Sequence, residues 1–313
     1  MRRYFDKRNR NFTYYSIVRK NMVSITLALC VLSTQAETTT SKYNTKLDFH
    51  YVHQFESAID NGGDVELTSY GSELRIDTKM TNSDDLQVRF QYQRDEWDFS
   101  GTSGLGLEDP WDTIDTIDLA FTWTHSYSKS SKIFLGGIAR SSYEEDASSS
   151  TVYGGSIGFV HSFTSDFTLG LGVGVIEQIL GDARLFPVFV LEWKLSENLR
   201  MTSDLSTRFG TRTGVELVWT PNSDWTLGAG ISYSYSRFRL DFEDIAPNGA
   251  GETTAWPLSF RATYHASPSF DLTILGGIVF SGQLEITNQT RNVIERQEYE
   301  SAGAVGVLAQ IRF

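Results

Sequence analysis

Apolar residues recur at every second position along much of the chain, a period that predicts β-strands with one apolar face. At residues 117–123 the odd positions are Ile, Leu, Phe and Trp, and the even ones are Asp, Ala and Thr. At residues 167–175 apolar odd positions alternate with Thr and Gly. After residue 32 no apolar run reaches the roughly 20 residues that a membrane-spanning helix needs. The pattern therefore predicts an all-β chain.

Two classes of turn separate the predicted strands. The short class is rich in Ser, Asn and Asp, which form local turn hydrogen bonds, and lies at residues 81–85, 128–131, 164–166, 196–198, 221–224 and 266–269. The other class is mostly longer and acidic, at residues 57–64, 100–113, 144–150, 178–184, 208–213, 241–253 and 287–297. The two classes alternate along the chain. Short turns at one end and longer loops at the other are typical of a transmembrane barrel, with the short turns periplasmic.

This division predicts fourteen strands in a single antiparallel up-and-down transmembrane β-barrel. A spanning strand needs about 9–11 residues, and most of the predicted strands meet that length. Twelve strands are the alternative, if the two short segments 199–207 and 214–220 merge or shift. The predicted strands are residues 43–56, 65–80, 86–99, 114–127, 132–143, 151–163, 167–177, 185–195, 199–207, 214–220, 225–240, 254–265, 270–286 and 298–313.

The last predicted strand carries the most specific signal. Its outward set would be Val305, Val307, Ala309, Ile311 and Phe313, and the chain stops on that aromatic residue. This ending resembles the closing strand of bacterial outer-membrane β-barrels. The resemblance, which includes families of unknown function, implies that the barrel-assembly machinery reads Phe313 and Ile311. It also implies that this strand pairs with the first one, which would remove both free sheet edges.

The N-terminal segment is predicted to lie outside the fold. Residues 1–20 are basic, residues 22–32 form an eleven-residue apolar core, and Ser33–Ala36 offers small residues for cleavage after Ala36. These are the parts of a secretory signal peptide. We expect residues 1–36 to be the signal peptide with its basic leader, 37–42 a short linker and 43–313 the barrel. The expected location is the outer membrane of a Gram-negative bacterium, and translation could start at Met1 or later.

Charge and cysteine content restrict the chemistry. The 313-residue chain has 27 basic and 39 acidic residues and one Cys, Cys30, which lies in the predicted signal peptide. Without residues 1–36 the chain keeps 20 basic and 38 acidic residues, a net charge of about −18. That balance argues against a nucleic-acid partner. A chain without cysteine has no disulfide and no thiolate site.

The predicted inner face mixes charges of both signs. Such a face could line an aqueous path or close the lumen through ion pairs, so an open, a plugged and a collapsed barrel all stay possible. Gly and Ala on the inner face of the fifth to seventh strands could let the barrel flatten. No single loop is long enough to form a plug domain. The lumen-facing charged candidates are Arg75, Arg89, Asp118, Glu192, Arg200, Asp204 and Arg261.

Aromatic residues recur a few positions before the short turns. They predict a periplasmic girdle, since amphipathic rings prefer the membrane interface. Cross-strand aromatic pairs of a soluble β-protein are the alternative interpretation. The girdle residues are Trp123, Phe159, Trp193, Trp219 and Tyr264.

Three patterns suggest chemistry, and each has a simpler explanation. Outer-membrane lipid hydrolases use His and Ser, but the adjacent residues of His125-Ser126 and His161-Ser162 point to opposite faces of a strand. The glycines of residues 170–174 lack the Lys-Ser/Thr of a phosphate-binding loop and fit a strand. The acidic loops are explained most simply as charged side chains in contact with solvent. The alternative is that they bind divalent cations beside lipopolysaccharide. We therefore predict no catalytic residue, no metal site and no cofactor.

The sequence predicts a passive pore or a structural envelope barrel. The alternatives are a lipid-modifying outer-membrane enzyme and an adhesion or structural barrel without conductance. The expected partners are outer-membrane lipids, lipopolysaccharide and the barrel-assembly machinery. The solute, the state of the lumen and the oligomeric state stay open.

Overall fold

A computed structural model describes residues 43–145, 147, 150–203, 211–242 and 244–313. The predicted signal peptide and linker, together with Asp204, lie outside these residues. The division of the chain into signal peptide, linker and barrel therefore stays a prediction. The described part contains one short helix, α1 (Gly104–Glu108), and no helix there is long and apolar enough to cross a membrane.

The described residues form antiparallel strands that match the predicted ones closely. Most boundaries agree within two residues, because the turn chemistry and the two-residue period mark them in the sequence. The strands are β1 (Tyr43–Ala58), β2 (Asp64–Lys79), β3 (Asp84–Ser100), β4 (Thr113–Ser126), β5 (Ser131–Glu144), β6 (Thr151–Ser162), β7 (Phe167–Ile176), β8 (Arg184–Lys194), β9 (Leu199–Thr202), β10 (Thr211–Trp219), β11 (Trp225–Arg239), β12 (Ala250–Ser267), β13 (Phe270–Thr287), β14 (Val293–Tyr299) and β15 (Ala302–Arg312).

The sheet closes into a barrel. Each strand from β1 to β13 pairs with its neighbours in sequence, and β15 pairs with β1 from Lys46↔Arg312 to Gln54↔Ala304. Since β14 and β15 both pair with β13, they occupy one position of the ring. The ring therefore has fourteen positions in the described part of the chain, which confirms the predicted fold, and the twelve-strand alternative is wrong.

The fourteenth position is interrupted, and its neighbours are irregular. Glu300 and Ser301 separate β14 from β15. Pairing shifts register in β1 between Gln54 and Ser57, and Ser281 of β13 has a φ of 48°. In β12, Pro257 has no N–H for the ladder. The barrel wall is thus locally distorted around the break while the ring stays closed.

The apolar side chains face outward and the polar ones inward. Leu119, Leu171 and Ile274 of the outer face are each more than half exposed, whereas Asp118 of the inner face is 1% exposed. A soluble barrel would place these faces the other way round. An exposed apolar outer face around a polar interior is the arrangement of a barrel that spans a membrane.

Glycines on the inner face of β6 and β7 make room for aromatic rings. The ring of Phe134 lies over Gly158 and Gly172, and the ring of Phe186 lies over Gly174. Any Cβ at these positions would collide with the ring. The two rings can therefore lie flat against this part of the wall.

The barrel is pinched at the end that carries the longer loops, which we call the loop-side end; the other is the turn-side end. There β11 contacts β5 across the interior, with Arg239 and Tyr143 paired in parallel. The two strands are separated by five others in the ring. At this level the interior is divided, and the part inside β1–β5 and β11–β15 is set apart from the β6–β10 side.

We predict that Gly158→Ala destabilises the barrel by about 1–3 kcal/mol, because the new methyl group would meet Phe134 and would lie 2.8 Å from the carbonyl oxygen of Leu171. Gly276→Ala is the matched control, since its nearest atom would be 3.8 Å away. Urea unfolding in lipid vesicles measures both. Equal midpoints for the two variants would contradict the packing account.

Candidate functional site

A cavity of about 100 Å³ lies inside the barrel below the loop-side end. Its described lining comes from β1–β5 and β11–β15, which is the part that the β5–β11 contact sets apart. Its lining mixes polar and apolar side chains on the same strands. The polar ones include Gln54, Ser69, Gln91, Gln93, Asp95, Thr116, Asp118 and Arg140, and the apolar ones include Val52, Leu67, Trp97, Leu275, Val279, Tyr299 and Ala304.

The charged pair in the cavity wall is Asp118 with Arg140. The two residues face each other directly in the β4–β5 register. Arg140 donates from Nε and Nη2 to the two carboxylate oxygens, at 2.7 and 2.6 Å. This two-point geometry is the strong form of an ion pair. Because Asp118 is 1% exposed, the guanidinium replaces the water that would otherwise solvate this carboxylate.

A row of amides continues the polar wall along β3. Gln91 Nε2 donates to Gln93 Oε1 at 3.3 Å, and Gln93 Nε2 donates to both oxygens of Asp95 at 2.9 Å. Gln54 of β1 is also buried, and its Nε2 makes no hydrogen bond within the described residues. The wall thus combines satisfied donors with one that is not.

An apolar plug closes the cavity toward the loop-side end. Its centre is Trp111, whose ring centroid lies 5.3 Å from that of Phe99 and 5.2 Å from that of Phe238. Around these rings the strands and the loops contribute a continuous cluster of buried side chains. We call this cluster the plug: Ile59, Val65, Trp97, Phe99, Leu105, Trp111, Ile114, Phe238, Leu240, Ala246, Ala255, Val279, Leu284, Ile286, Tyr299 and Ala304.

Loops build the plug rather than strands alone. The β3–β4 loop carries Leu105 and Trp111, and the β11–β12 loop carries Leu240 and Ala246. The β7–β8 loop also turns inward, where Ile179 packs with Val152 and Ala250. In the described part of the chain, segments of these three loops lie together at one end of the barrel.

Glu144, the last residue of β5, joins two of these loops. One carboxylate oxygen accepts from the backbone N–H of Asp112 at 3.1 Å, and the other from that of Asp241 at 3.2 Å. The carboxyl groups of Glu144, Asp241 and Asp244 approach within 4.8 Å of one another. Burial raises the pKa of Asp244 above its ordinary value, and the charges of Asp241 and Asp109 raise it further, against a hydrogen bond with Glu144 that lowers it.

Several features of the closed arrangement raise its free energy. Each of the three inward loops holds one non-glycine residue with positive φ: Asp109 at 49°, Leu180 at 50° and Asn248 at 51°. Such residues cost of the order of 1 kcal/mol each. Trp111 Nε1 and Asp244 Oδ2 are buried without a hydrogen bond within the described residues. A plug with strained backbone and unsatisfied polar atoms is easier to displace than an ordinary core.

The predicted lumen charges fall into different surroundings. Asp118 lies in the cavity wall, and Arg261 donates to Glu216 at 2.7 Å from Nε. Arg75 pairs with Glu73 at 2.7 Å and stands opposite Arg89 in the β2–β3 register. Glu192 and Arg200 are exposed and border a second cavity of about 280 Å³ near the turn-side end. Among the described members of this set, only Asp118 lines the first cavity, and a role of the set in conduction stays a prediction.

The predicted girdle residues lie on the outer surface of the barrel. Phe159, Trp193, Trp219 and Tyr264 are exposed, and Trp123 is half-buried and stacks on His125. In β15, Ile311 pairs with Leu47 and Phe270, and Phe313 follows Arg312 with its ring exposed. Membrane contact by the girdle and recognition of Phe313 stay predictions.

The histidines of the two His-Ser pairs have other partners. His125 Nδ1 lies 2.9 Å from a carboxylate oxygen of Asp84, and His161 Nδ1 lies 2.8 Å from Ser131 Oγ on the neighbouring strand. Ser162 instead bonds Thr168 at 2.8 Å. As strand parity predicts, neither histidine bonds the serine that follows it.

Sequence reasoning missed the residues that complete the site. Arg140 could have been assigned to the inner face by strand parity, but its partner depends on the β4–β5 register. Leu105 and Trp111 were included in a loop predicted from its polar residues. Their apolar side chains could have indicated that this loop packs into the barrel, since a large aromatic residue such as Trp is usually buried against other apolar groups.

The closed ring, the polar interior and the exposed apolar outer face define an outer-membrane type of β-barrel. Residues 116–313 match the family described as Domain of unknown function (DUF6268), and the chain belongs to that family. No curated protein matches the chain.

Several solved barrels are similar to the chain. They include the COG4313 outer membrane channel from Pseudomonas putida F1 (12% identity, 90% of this chain and 98% of that chain, TM-score 0.47). A Pseudomonas aeruginosa FadL homologue follows with 10% identity, 87% and 90% coverage and a TM-score of 0.37. The translocator domain of autotransporter NalP from Neisseria meningitidis has 10% identity, 95% and 98% coverage and a TM-score of 0.36. With TM-scores this low, the barrel assignment rests on the strand pairing of the chain itself.

We predict that Arg140→Met destabilises the barrel by about 3 kcal/mol, because it leaves the buried Asp118 carboxylate without its partner. The double variant Asp118→Leu with Arg140→Met should recover most of that loss, since no charge then stays buried. Urea unfolding midpoints of the single and double variants form the test. A double variant less stable than Arg140→Met would show that the pair is not what sets the cost.

Proposed function

We propose that this protein is a gated outer-membrane pore for small solutes, with its loop-side end closed at rest. The observation that carries the proposal is a polar, ion-paired interior that is closed at one end by segments of loops. A barrel with a purely structural role needs no cavity beneath a displaceable plug.

Two features favour a gate over a permanent seal. Five of the sixteen plug residues, with Trp111 at the centre, lie in loops, which cross no membrane and can move without breaking the barrel ladder. The three inward loops also hold three residues with positive φ and two unsatisfied buried polar atoms. Both features lower the free energy needed to move the loops outward.

The location and the assembly route belong to the same proposal. The outward apolar face supports insertion in the outer membrane, with the short turns periplasmic. Export through a signal peptide at residues 1–36 and recognition of Phe313 by the assembly machinery are proposed on the sequence. Lipopolysaccharide is the proposed lipid neighbour of the loop-side rim.

We predict that Trp111→Ala raises the open probability in single-channel recordings in planar bilayers. Removing a buried Trp costs about 3–5 kcal/mol, and this loss falls on the closed state. At about 1.4 kcal/mol per tenfold, the open-to-closed ratio should rise by about a hundredfold or more. Trp219→Ala, which removes an exposed ring, should conduct like the wild type.

Silence of both the wild type and Trp111→Ala at all voltages would overturn the pore. The protein would then be better described as a structural or adhesion barrel. Heat-modifiable migration in SDS gels, run on each variant, shows that the silent protein is folded.

We predict that conductance rises as the pH on the loop side increases from 5 to 9. The raised pKa of Asp244 means that the closed plug is stabilised while this carboxyl is protonated, and that the stabilisation is lost as pH rises through the raised value. The deprotonated group would repel the carboxylates of Asp241 and Asp109. Asp244→Asn, which stays neutral, should remain closed across this range.

Asp182→Asn is the control for general charge effects, because Asp182 is a fully exposed loop carboxylate. It should keep the pH response of the wild type. An Asp244→Asn variant that opens with pH as the wild type does would show that another group controls the plug.

A further inference from the structure

The barrel wall has a gap at the fourteenth position of the ring. Pairing of β13 with β15 ends at Val279↔Ala302, and pairing of β13 with β14 begins at Gly282↔Tyr299. Both pairs belong to one register, so residues 280–281 stand opposite residues 300–301 without forming ladder pairs in the described sheet. Two steps of the ladder are therefore missing between neighbouring strands.

The adjacent strand pairs are weakened beside this gap. Between β1 and the β14–β15 segment, pairing skips residues 55–58 of β1. Between β12 and β13, a bulge sets Ala255 against residues 281–282. Between β11 and β12, pairing skips residues 256–257, since Pro257 has no N–H for the ladder. Four consecutive strand pairs thus lose ladder hydrogen bonds in the same part of the wall.

The gap lies at the border of the membrane-spanning band. In β13 it follows residues 270–279, and a spanning strand needs about 9–11 residues. The exposed rings of Phe55 and Trp256 and the exposed Glu300 belong to the same part of the wall. At such a border, unpaired backbone groups can reach interfacial water, so they cost less than they would in hydrocarbon.

The cavity inside the barrel reaches the wall at this gap. Its lining includes residues 257–259 of β12 and 277–279 of β13, together with Tyr299 and Ala304 from the two sides of the break. Consecutive residues of a strand point to opposite faces, so the cavity extends to the strand backbones here and not only to inward side chains. A single layer of incompletely paired strands therefore separates the cavity from the membrane.

One aromatic ring and one side-chain hydrogen bond cover the gap. Tyr299 is 5% exposed, and its ring lies against Gly282. Ser57 Oγ donates to the backbone oxygen of Glu300 at 2.5 Å. Moving a ring and breaking one such bond takes less free energy than separating two fully paired strands.

We propose that this gap passes small uncharged apolar solutes between the cavity and the outer leaflet of the membrane. We call it the side opening and define it by residues 55–58, 255–257, 280–282 and 299–301. For a charged solute, entry into hydrocarbon carries a large desolvation cost. The inference rests on the proposed function, since it names a route and a solute class for the pore. Passage through the side opening does not require that the plug open.

A cysteine in the cavity tests this route. Ser69 lines the cavity and is 5% exposed, and Ser69→Cys combined with Cys30→Ser leaves a single thiol in the chain. The protein is reconstituted in phosphatidylcholine vesicles and treated with methyl, ethyl or propyl methanethiosulfonate, and the reaction is followed by intact mass. At a fixed concentration in water, each added CH₂ raises the concentration of reagent in the bilayer about fourfold.

The reaction rate should rise from the methyl to the propyl reagent, by up to about fourfold per CH₂, because the reagent arrives through the membrane. Entry through water at either end of the barrel would give a flat or falling series.

Tyr299→Ala, which removes the ring over the gap, should raise the rate with the propyl reagent about tenfold or more, since loss of a buried ring destabilises the closed wall. It should leave unchanged the rate with 2-(trimethylammonium)ethyl methanethiosulfonate, whose permanent charge keeps it out of the bilayer. Trp111→Ala should raise the rate with this charged reagent, because it opens the plug to water.

Ser142→Cys is the matched control. Ser142 is 1% exposed and lies outside the described lining of the cavity. Its cysteine should react more slowly than Ser69→Cys with every reagent, and Tyr299→Ala should not change its rate. If Tyr299→Ala does not fold, the alkyl series on Ser69→Cys still decides the question.

A flat or falling alkyl series, or equal acceleration of the propyl and charged reagents by Tyr299→Ala, would overturn the side opening. A rising series together with no effect of Trp111→Ala on the charged reagent would keep the side opening and overturn the displaceable plug. A flat series together with a faster charged reaction in Trp111→Ala would keep the plug as a gate and overturn the side opening.

Discussion

The pairing of the last strand with the first is the interaction on which the rest of the structure depends. Hydrocarbon offers no hydrogen bonds, so each backbone N–H and C=O inside a membrane must find its partner within the protein. The β1–β15 ladder removes the two edges that an open sheet would expose. The small residues and regular alternation at residues 302–312 fit this role, because the strand must pair on both sides along its length.

Closure also fixes which residues can act on a solute. Once the ring is closed, alternate side chains lie inside it, and the interior must hold their charges without bulk water around each of them. The chain meets this need with cross-strand pairs such as Asp118 with Arg140 and Glu216 with Arg261. On the other side of the barrel, glycines leave space that the rings of Phe134 and Phe186 fill. The cavity below the plug lies in the part inside β1–β5 and β11–β15.

The loop-side end has to meet two opposing requirements. The plug must bury enough apolar surface to stay closed, and a pore must be able to lose it. Trp111 supplies much of the burial, whereas the strained residues of the loops and the crowded carboxyl groups near Glu144 oppose closure. Because these contributions oppose closure, the free-energy difference between the closed and the open state is smaller than it would be for a uniformly apolar plug. This smaller difference is the physical basis of the proposed gate.

The sequence by itself determined the strands, their number and their faces. The two-residue period and the turn residues are local properties, and membrane insertion leaves little freedom in how such strands combine. It also predicted that Asp118 and Arg261 face the interior. Only the tertiary structure decided which residues they pair with, that β11 contacts β5, and that Leu105 and Trp111 fold into the barrel. Register, cross-lumen contact and loop direction depend on groups far apart in the chain, and local alternation carries no information about them.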